Sequence, residues 1–195
     1  LSIALLLFVA LTTWRRGRQI LAARLRAETL GMDEFLRTLQ PDVARVAGTA
    51  VFLTGNPACV PSSLLQNLIH NKVLHERVVL VHMRTAVVPW VHAAERVQVQ
   101  DLGRGFWEVR VNYGFMQRPD IPRALALCAS QGLPFDLDDT TFFLGRETII
   151  PTRLPGMALW REYLFAWMMR NAGPAAEFFR LPSSRVVELG SQIDI

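Results

Sequence analysis

The side chains that could do chemistry are few and scattered. His70 and His75 stand five apart in His70-Asn71-Lys72-Val73-Leu74-His75-Glu76. That spacing does not stack them on one helical face, as paired metal ligands on a helix must be, and no carboxylate completes a zinc-protease pattern. A helix C-terminus explains the stretch better, with Asn71 and Lys72 serving its last carbonyls. Asp136, Asp138 and Asp139 crowd one short segment, without the Gly bend and closing Glu of an EF-hand loop, so a solvated turn is expected. Cys59 and Cys128 are isolated, which supports neither a disulfide framework nor a zinc site and suits a reducing compartment. Thr54-Gly55-Asn56 is the one candidate ligand-binding turn, where a helix N-terminus could receive a phosphate-bearing small molecule such as a nucleotide. It lacks the glycines and lysine of a P-loop, and a plain turn accounts for it with nothing further required, so the ligand reading is the lesser of the two. No nucleophile–base pair can be assembled, so no catalytic or metal residue is assigned and the chain is not expected to be an enzyme.

The elements that would position these residues are clearer. Thr49–Thr54 is a short apolar run closed by Gly55-Asn56-Pro57, the pattern of a buried strand. Pro61-Ser62-Ser63 opens a helical spacing of Leu64, Leu65, Leu68 and Ile69, and residues 77–83 give a second strand. Strand, helix and strand make a βαβ unit, expected to be parallel. Val97 and Val99, then Trp107, Val109, Val111 and Tyr113, alternate with polar residues around Gly103-Arg104-Gly105, an antiparallel hairpin with one polar face.

A helix should follow Asp120-Ile121-Pro122 and stop at Gly132, and a strand should cover 140–150 with an interruption or turn at 145–147. A bulky helix is expected over 156–171, its apolar residues on nearly every face, which implies burial on several sides or an interface. After a further turn over 175–180, a last strand begins near Arg185. The fold class is therefore α/β, a mixed β-sheet of about six strands with flanking helices.

Ahead of this domain, residues 1–14 carry no charge, and Arg15, Arg16 and Arg18 follow at once. As a helix these residues reach about 21 Å, short of a hydrocarbon core of roughly 30 Å. A signal peptide would place its charges before the apolar run. A buried core helix fits the length but not the arginine flank, which instead marks the cytoplasmic end of a transmembrane helix. Trp14, Arg15, Arg16 and Arg18 are thus candidate membrane-interface anchors, with Arg24 and Arg26 extending the basic cluster. Beginning at Leu1 rather than Met, the chain is expected to belong to a longer protein. Leu21, Leu25, Met32, Leu36 and Leu39 then form the stripe of an amphipathic connecting helix, weakened at Gly31 and ended by Pro41. The expected organisation is 1–14 membrane helix end, 15–47 connecting helix, 48–195 cytosolic α/β domain.

The 195 residues are 51% hydrophobic with a net charge of +4, enough apolar material for a packed core. The arginines sit beside an apolar helix end rather than interleaved with aromatics, which argues against nucleic acid as a partner.

Several ordered motifs carry a resemblance. GTAVFLTGNP, LLQNLIHNKVLHERVV, GFWEVRVNYGFMQRPDIPRAL, FFLGRETIIP and RVVELGSQIDI, with the connecting LGMDEFL, resemble the C-terminal portion of bacterial KUP-type potassium uptake proteins. The resemblance implies a proton-coupled potassium symporter of the cell inner membrane, of which residues 15–195 would lie on the cytoplasmic side. K+ and H+ would be the ions moved by the parent protein, with no cofactor in this portion. The partners implied are the transporter's own transmembrane domain and membrane lipids at the arginine flank, with a homodimer left open. The apolar segment offers only Ser2, Thr12 and Thr13 as polar side chains and the first acid is Glu28, so the ion pathway is expected elsewhere. The role left to this portion is structural, in assembly, or regulatory; the alternative is a small-ligand sensing domain of a membrane protein.

Overall fold

A computed structural model describes residues 2–27, 30–152 and 154–195; Leu1, Glu28 and the side chain of Arg26 lie outside them. Helix α1 (Ser2–Ala27) runs unbroken through the apolar stretch and the arginines. Gly31 is the N-cap residue of α2 (Met32–Thr38). Strand β1 (Ala44–Thr54), α3 (Ser62–Asn71) and β2 (Val73–Ala86) form the expected parallel βαβ unit. A short helix α4 (Ala93–Arg96) leads into the hairpin of β3 (Val97–Gly103) and β4 (Phe106–Gly114). Next come α5 (Ile121–Leu127), β5 (Thr140–Ile150), α6 (Leu159–Arg170), α7 (Ala175–Phe178) and β6 (Val186–Asp194).

The six strands lie in the order β3-β4-β2-β1-β5-β6. β1 pairs in parallel with β2 and β5, β2 in parallel with β4, and β3 antiparallel to β4, so the sheet is mixed. The chain divides into two compact units, residues 1–29, 146–173 and 190–195 forming one, residues 30–145 and 174–189 the other. β5 and β6 contribute residues to both.

In the larger unit the sheet is covered on both faces, which the two-residue period of a strand makes visible. Val51, Val79, Val81, Val109 and Val111 pack with Ile121 and Leu125 of α5 on one face. Ala50, Phe52, Val78, Leu80 and Phe106 pack with Phe35 of α2 and Leu64 of α3 on the other. β1 starts earlier than its apolar run because Ala44–Ala47 are exposed, and a register shift precedes Thr49 next to Gly48, which has φ +99°. The hairpin turns through Arg104 and Gly105, both with positive φ, the two-residue geometry that matches strand twist.

Three expectations need correction. On β4 the expected polar face is only partly open to solvent, because Glu108 is buried and its carboxylate takes the guanidinium of Arg110, which stays exposed. β5 is a single unbroken strand through residues 145–147; what changes there is the unit to which its residues belong. Helix α6 is buried on one side rather than several, which leaves the interface as the reading of its other face. Glu162, Phe165 and Ala166 face inward, while Trp160, Tyr163 and Trp167 are exposed on the opposite side.

The smaller unit has its own core, in which Leu21 of α1 meets Ile149, Phe165, Ala166, Ile193 and Ile195. The first turns of α1 are not part of it. Ile3, Leu5, Leu6, Leu7, Phe8 and Leu11 are all exposed, so among the described residues this stretch joins no core. Among the described residues no helix is long and apolar enough to cross a membrane, and the transmembrane reading of the segment stands as an expectation. The amphipathic stripe divides between the units: Leu21 and Leu25 join the smaller core, and Met32, Leu36 and Leu39 the larger.

Candidate functional site

The turn after β1 is closed on itself. The Thr54 hydroxyl donates to the Asn56 carbonyl at 2.9 Å and accepts from the Asn56 N–H at 3.2 Å. The Asn56 side chain accepts from the Ala58 N–H at 3.2 Å and donates to Cys59 Sγ at 3.1 Å. The Thr54 carbonyl lies 3.1 Å from Nδ1 of His82 on the neighbouring strand. Gly55 has open space beside it. Thr54, Gly55 and Asn56 therefore come together as sequence reasoning placed them, with the polar atoms of Thr54 and Asn56 engaged in building the turn. The helix that follows, α3, has Pro61 as its N-cap residue, with no side-chain cap and no acid in its first turn.

The other polar candidates disperse. His70 sits on α3 and His75 on β2. Lys72, at φ 56°, caps α3 by donating its N–H to the Leu68 carbonyl at 3.0 Å, whereas the Asn71 side chain bonds to Asn67 rather than to a carbonyl. Asp136 accepts the Asp138 N–H at 2.9 Å, which makes the acidic segment a self-bonded turn. Among the described residues no group of His, Cys, Asp and Glu could hold a metal ion. An open cleft lies beside Phe35, Leu39, Val43, Leu68 and Lys72.

The arginine flank is different, because part of it is built into the protein. Trp14 meets the ring of Phe165 edge-on, with centroids 5.7 Å apart. Arg16 Nε donates to the Gly156 carbonyl at 3.1 Å. In return, Arg161 of α6 donates from Nε to the Thr13 hydroxyl at 2.9 Å and from a terminal nitrogen to the Thr12 hydroxyl at 3.3 Å. One turn on, the Phe165 ring occupies the space a side chain at Gly17 would need. Arg15 and Arg18 are exposed. Two of the four expected interface anchors, Trp14 and Arg16, thus hold α1 to the α6 region, while Arg15 and Arg18 point to solvent. Further along, the buried Glu162 carboxylate accepts the Thr152 N–H at 3.1 Å, tying α6 to the end of β5. The arrangement can transmit position and force between α1 and α6; it contains no group placed for bond making.

Comparison with known proteins decides the family. The K+ potassium transporter C-terminal domain matches residues 47–195. The chain belongs to that family. It is 53% identical over 196 residues to a "Probable potassium transport system protein Kup" of Azoarcus sp. (strain BH72), covering 100% of the chain and 31% of that relative. Its identity to the protein of the same name from Myxococcus xanthus (strain DK1622) is 52% over 197 residues, with 100% and 30% covered. The corresponding protein of Aromatoleum aromaticum (strain DSM 19018 / LMG 30748 / EbN1) is 53% identical over 196 residues, again 100% of the chain and 31% of the relative. The chain therefore spans about a third of the length of these relatives, all three named as transport proteins and none as an enzyme. No solved structure matches.

Within this potassium transporter C-terminal domain chain, sequence reasoning did not single out Gly17, Phe165 or Arg161, and named Thr13 only as a polar side chain of the apolar segment. A glycine inside an otherwise helical, arginine-rich run was the available signal, since such a glycine costs helix stability unless packing requires it. The pairing with Phe165 across nearly 150 positions of sequence carried no local signature.

Proposed function

We propose that the chain is the cytosolic C-terminal domain of an inner-membrane potassium:proton symporter, with a structural, assembly or regulatory role in potassium uptake. The observation that carries this reading is the continuity of α1. Its exposed apolar turns, Ile3 to Leu11, pass without a break into the segment from Thr13 to Leu25 that packs on α6. Large apolar side chains left in water along several successive turns are unfavourable, whereas the same face in lipid is not. The arginines directly after it favour the cytoplasmic side for everything that follows. Family membership supports potassium as the transported ion of the parent protein. A helix leaving the membrane and locked to α6 would make the smaller unit respond to any displacement of that helix.

The test is made in the full-length transporter, expressed in cells dependent on it for potassium. Removing residues 48–195 is expected to lower potassium uptake or abolish its regulation while the protein still reaches the membrane. Unchanged uptake, regulation and abundance would refute the role. A protease-accessibility assay on inside-out and right-side-out vesicles reads sidedness separately, cleavage after Arg180 being expected only when the cytoplasmic face is exposed.

A further inference from the structure

The larger unit carries an apolar platform that neither its core nor the proposed role uses. The loop after β2 is Val87-Val88-Pro89-Trp90, and the loop after β4 is Phe115-Met116-Gln117. Val87 is 97% exposed, Val88 48%, and Trp90, Phe115 and Met116 61% each. Five large apolar side chains in water on two adjoining loops exceed the scattered exposure usual for a surface.

These loops are held rigidly together. The Phe115 N–H donates to the Val88 carbonyl at 3.0 Å and the Met116 N–H to the Pro89 carbonyl at 3.2 Å. The Gln117 side-chain oxygen accepts the N–H groups of both Gly114, at 2.9 Å, and Val91, at 3.1 Å, while its nitrogen donates to the Val91 carbonyl at 3.2 Å. Arg96 donates to the same carbonyl and lies over the Tyr113 ring. At Gly114 the backbone of the first loop approaches so closely that a Cβ would fall 2.6 Å from the Trp90 nitrogen and nearer still to the Pro89 carbonyl oxygen. The apolar tips are thus presented by fixed backbones, and ordering them on contact carries little further entropic cost.

The charges around the platform indicate what covers it. Exposed Arg84 precedes the first loop and exposed Arg118 ends the second. From Arg84 to Ala94 and from Gly114 to Pro119 there is no acid. Beyond them, Asp120 caps α5 through the Arg123 N–H and faces Arg180, and Glu95 lies on α4. Tryptophan, phenylalanine, methionine and valine tips flanked by basic side chains match a bilayer interface, where aromatic rings settle at headgroup depth and arginines meet anionic lipids. A protein partner of ordinary composition would call for charges of both signs at the rim, whereas the charged residues immediately flanking the tips are Arg84 and Arg118, with Glu95 and Asp120 further along the chain.

We propose that the β2 and β4 loops form a second, membrane-seating site of this chain, with Val87, Val88, Trp90, Phe115 and Met116 entering the interface of an anionic bilayer and Arg84 and Arg118 contacting its headgroups. This goes beyond the potassium-transport reading and does not rest on it, because the site lies outside α1.

The experiment reads the loops locally, since the apolar turns of α1 can themselves bring the chain to vesicles. An environment-sensitive fluorophore is placed by Val87→Cys, by Met116→Cys, or at a control position by Gln100→Cys, each in a Cys59→Ala/Cys128→Ala background with an unchanged melting profile. Equimolar phosphatidylcholine:phosphatidylglycerol vesicles should brighten and blue-shift the label at 87 and 116 and leave that at 100 unchanged. Phosphatidylcholine alone should give a weaker response, and Arg84→Ala or Arg118→Ala should each weaken the anionic response about fivefold. Vesicle-bound chain with silent labels at 87 and 116 would overturn the proposal, as would failure of the chain to bind vesicles. A label response without lipid that grows with protein concentration would also overturn it, and assign the platform to a second copy of the chain.

Discussion

Gly17 of α1 lies directly under the ring of Phe165 of α6, so close that a Cβ on Gly17 would fall 2.7 Å from Cδ1 and nearer still to Cγ. Real side-chain carbons do not approach so closely, and the glycine is what lets the two helices meet here. On an open helix surface, glycine to alanine would be stabilising by about 1 kcal/mol. Here Gly17→Ala is expected to be destabilising by about 1–3 kcal/mol, because the ring has to leave its position. Denaturant unfolding of Gly17→Ala and of Gly17→Ala/Phe165→Leu checks it, the smaller side chain recovering part of the loss. A gain in stability for the single variant would show that the contact is not tight.

How much of this was legible in the sequence depended on what the side chains faced. Thr49–Thr54 reads as a strand because both its faces are covered and its apolar run is continuous; Ala44–Ala47, exposed, carries no such pattern although it belongs to the same strand. Glu108 falls on the polar side of an alternating strand by pattern, yet its carboxylate is buried and only its partner Arg110 stays exposed. The Thr54–Asn56 turn could be located, but its internal hydrogen bonds could not be foreseen from residue types alone. The α1–α6 contact depends on shape complementarity between distant segments, and helical period says nothing about that. Trp160, Tyr163 and Trp167 share a face with spacing that a helical reading could have separated from Glu162, Phe165 and Ala166.

The Thr13 hydroxyl is fully buried and receives the Arg161 Nε–H at 2.9 Å. Arg161→Met leaves that hydroxyl without its guanidinium partner, at an expected cost of about 1–3 kcal/mol. Thr13→Val alone deprives Arg161 of one acceptor while Thr12 remains, and should cost less. The double variant Thr13→Val/Arg161→Met removes donor and acceptor together and is expected to be more stable than Arg161→Met alone. A double-mutant cycle from urea unfolding gives the coupling, and strict additivity would contradict the direct bond.

Burial pushes the Cys128 thiol from 9.0 up to about 11. The folded chain therefore holds this proton more tightly than the unfolded chain, and the sign follows from linkage. The stabilising contribution is complete below pH 9.0 and is lost as pH rises through about 11. Tyr113, also raised by desolvation, adds to the same alkaline loss. Melting temperature is expected to fall over this window, and to fall less steeply in Cys128→Ala. Thiol labelling gives a second check: the half-buried Cys59 should react with a maleimide at neutral pH, and Cys128 only on unfolding.

Tyr113 and Asp120 exchange two hydrogen bonds, the hydroxyl donating to the Asp120 carbonyl at 2.6 Å and accepting from the Asp120 N–H at 3.0 Å. The Asp120 carboxylate in turn caps α5 through the Arg123 N–H at 3.0 Å, so the tyrosine fixes the residue that starts the helix. Tyr113→Phe keeps the ring under Arg96 but removes both bonds, leaving a backbone donor and acceptor to find water in a half-buried site. The expected cost is about 1–3 kcal/mol, with faster amide exchange at Arg123 and Ala124. Asp120→Ala should cost about 0.5–2 kcal/mol through the lost cap. Because the cap depends on the backbone that Tyr113 holds, the two substitutions together should cost less than their separate effects combined. Full additivity, with unchanged exchange at Arg123 in Tyr113→Phe, would show that the helix start is set by Pro122 and its packing instead.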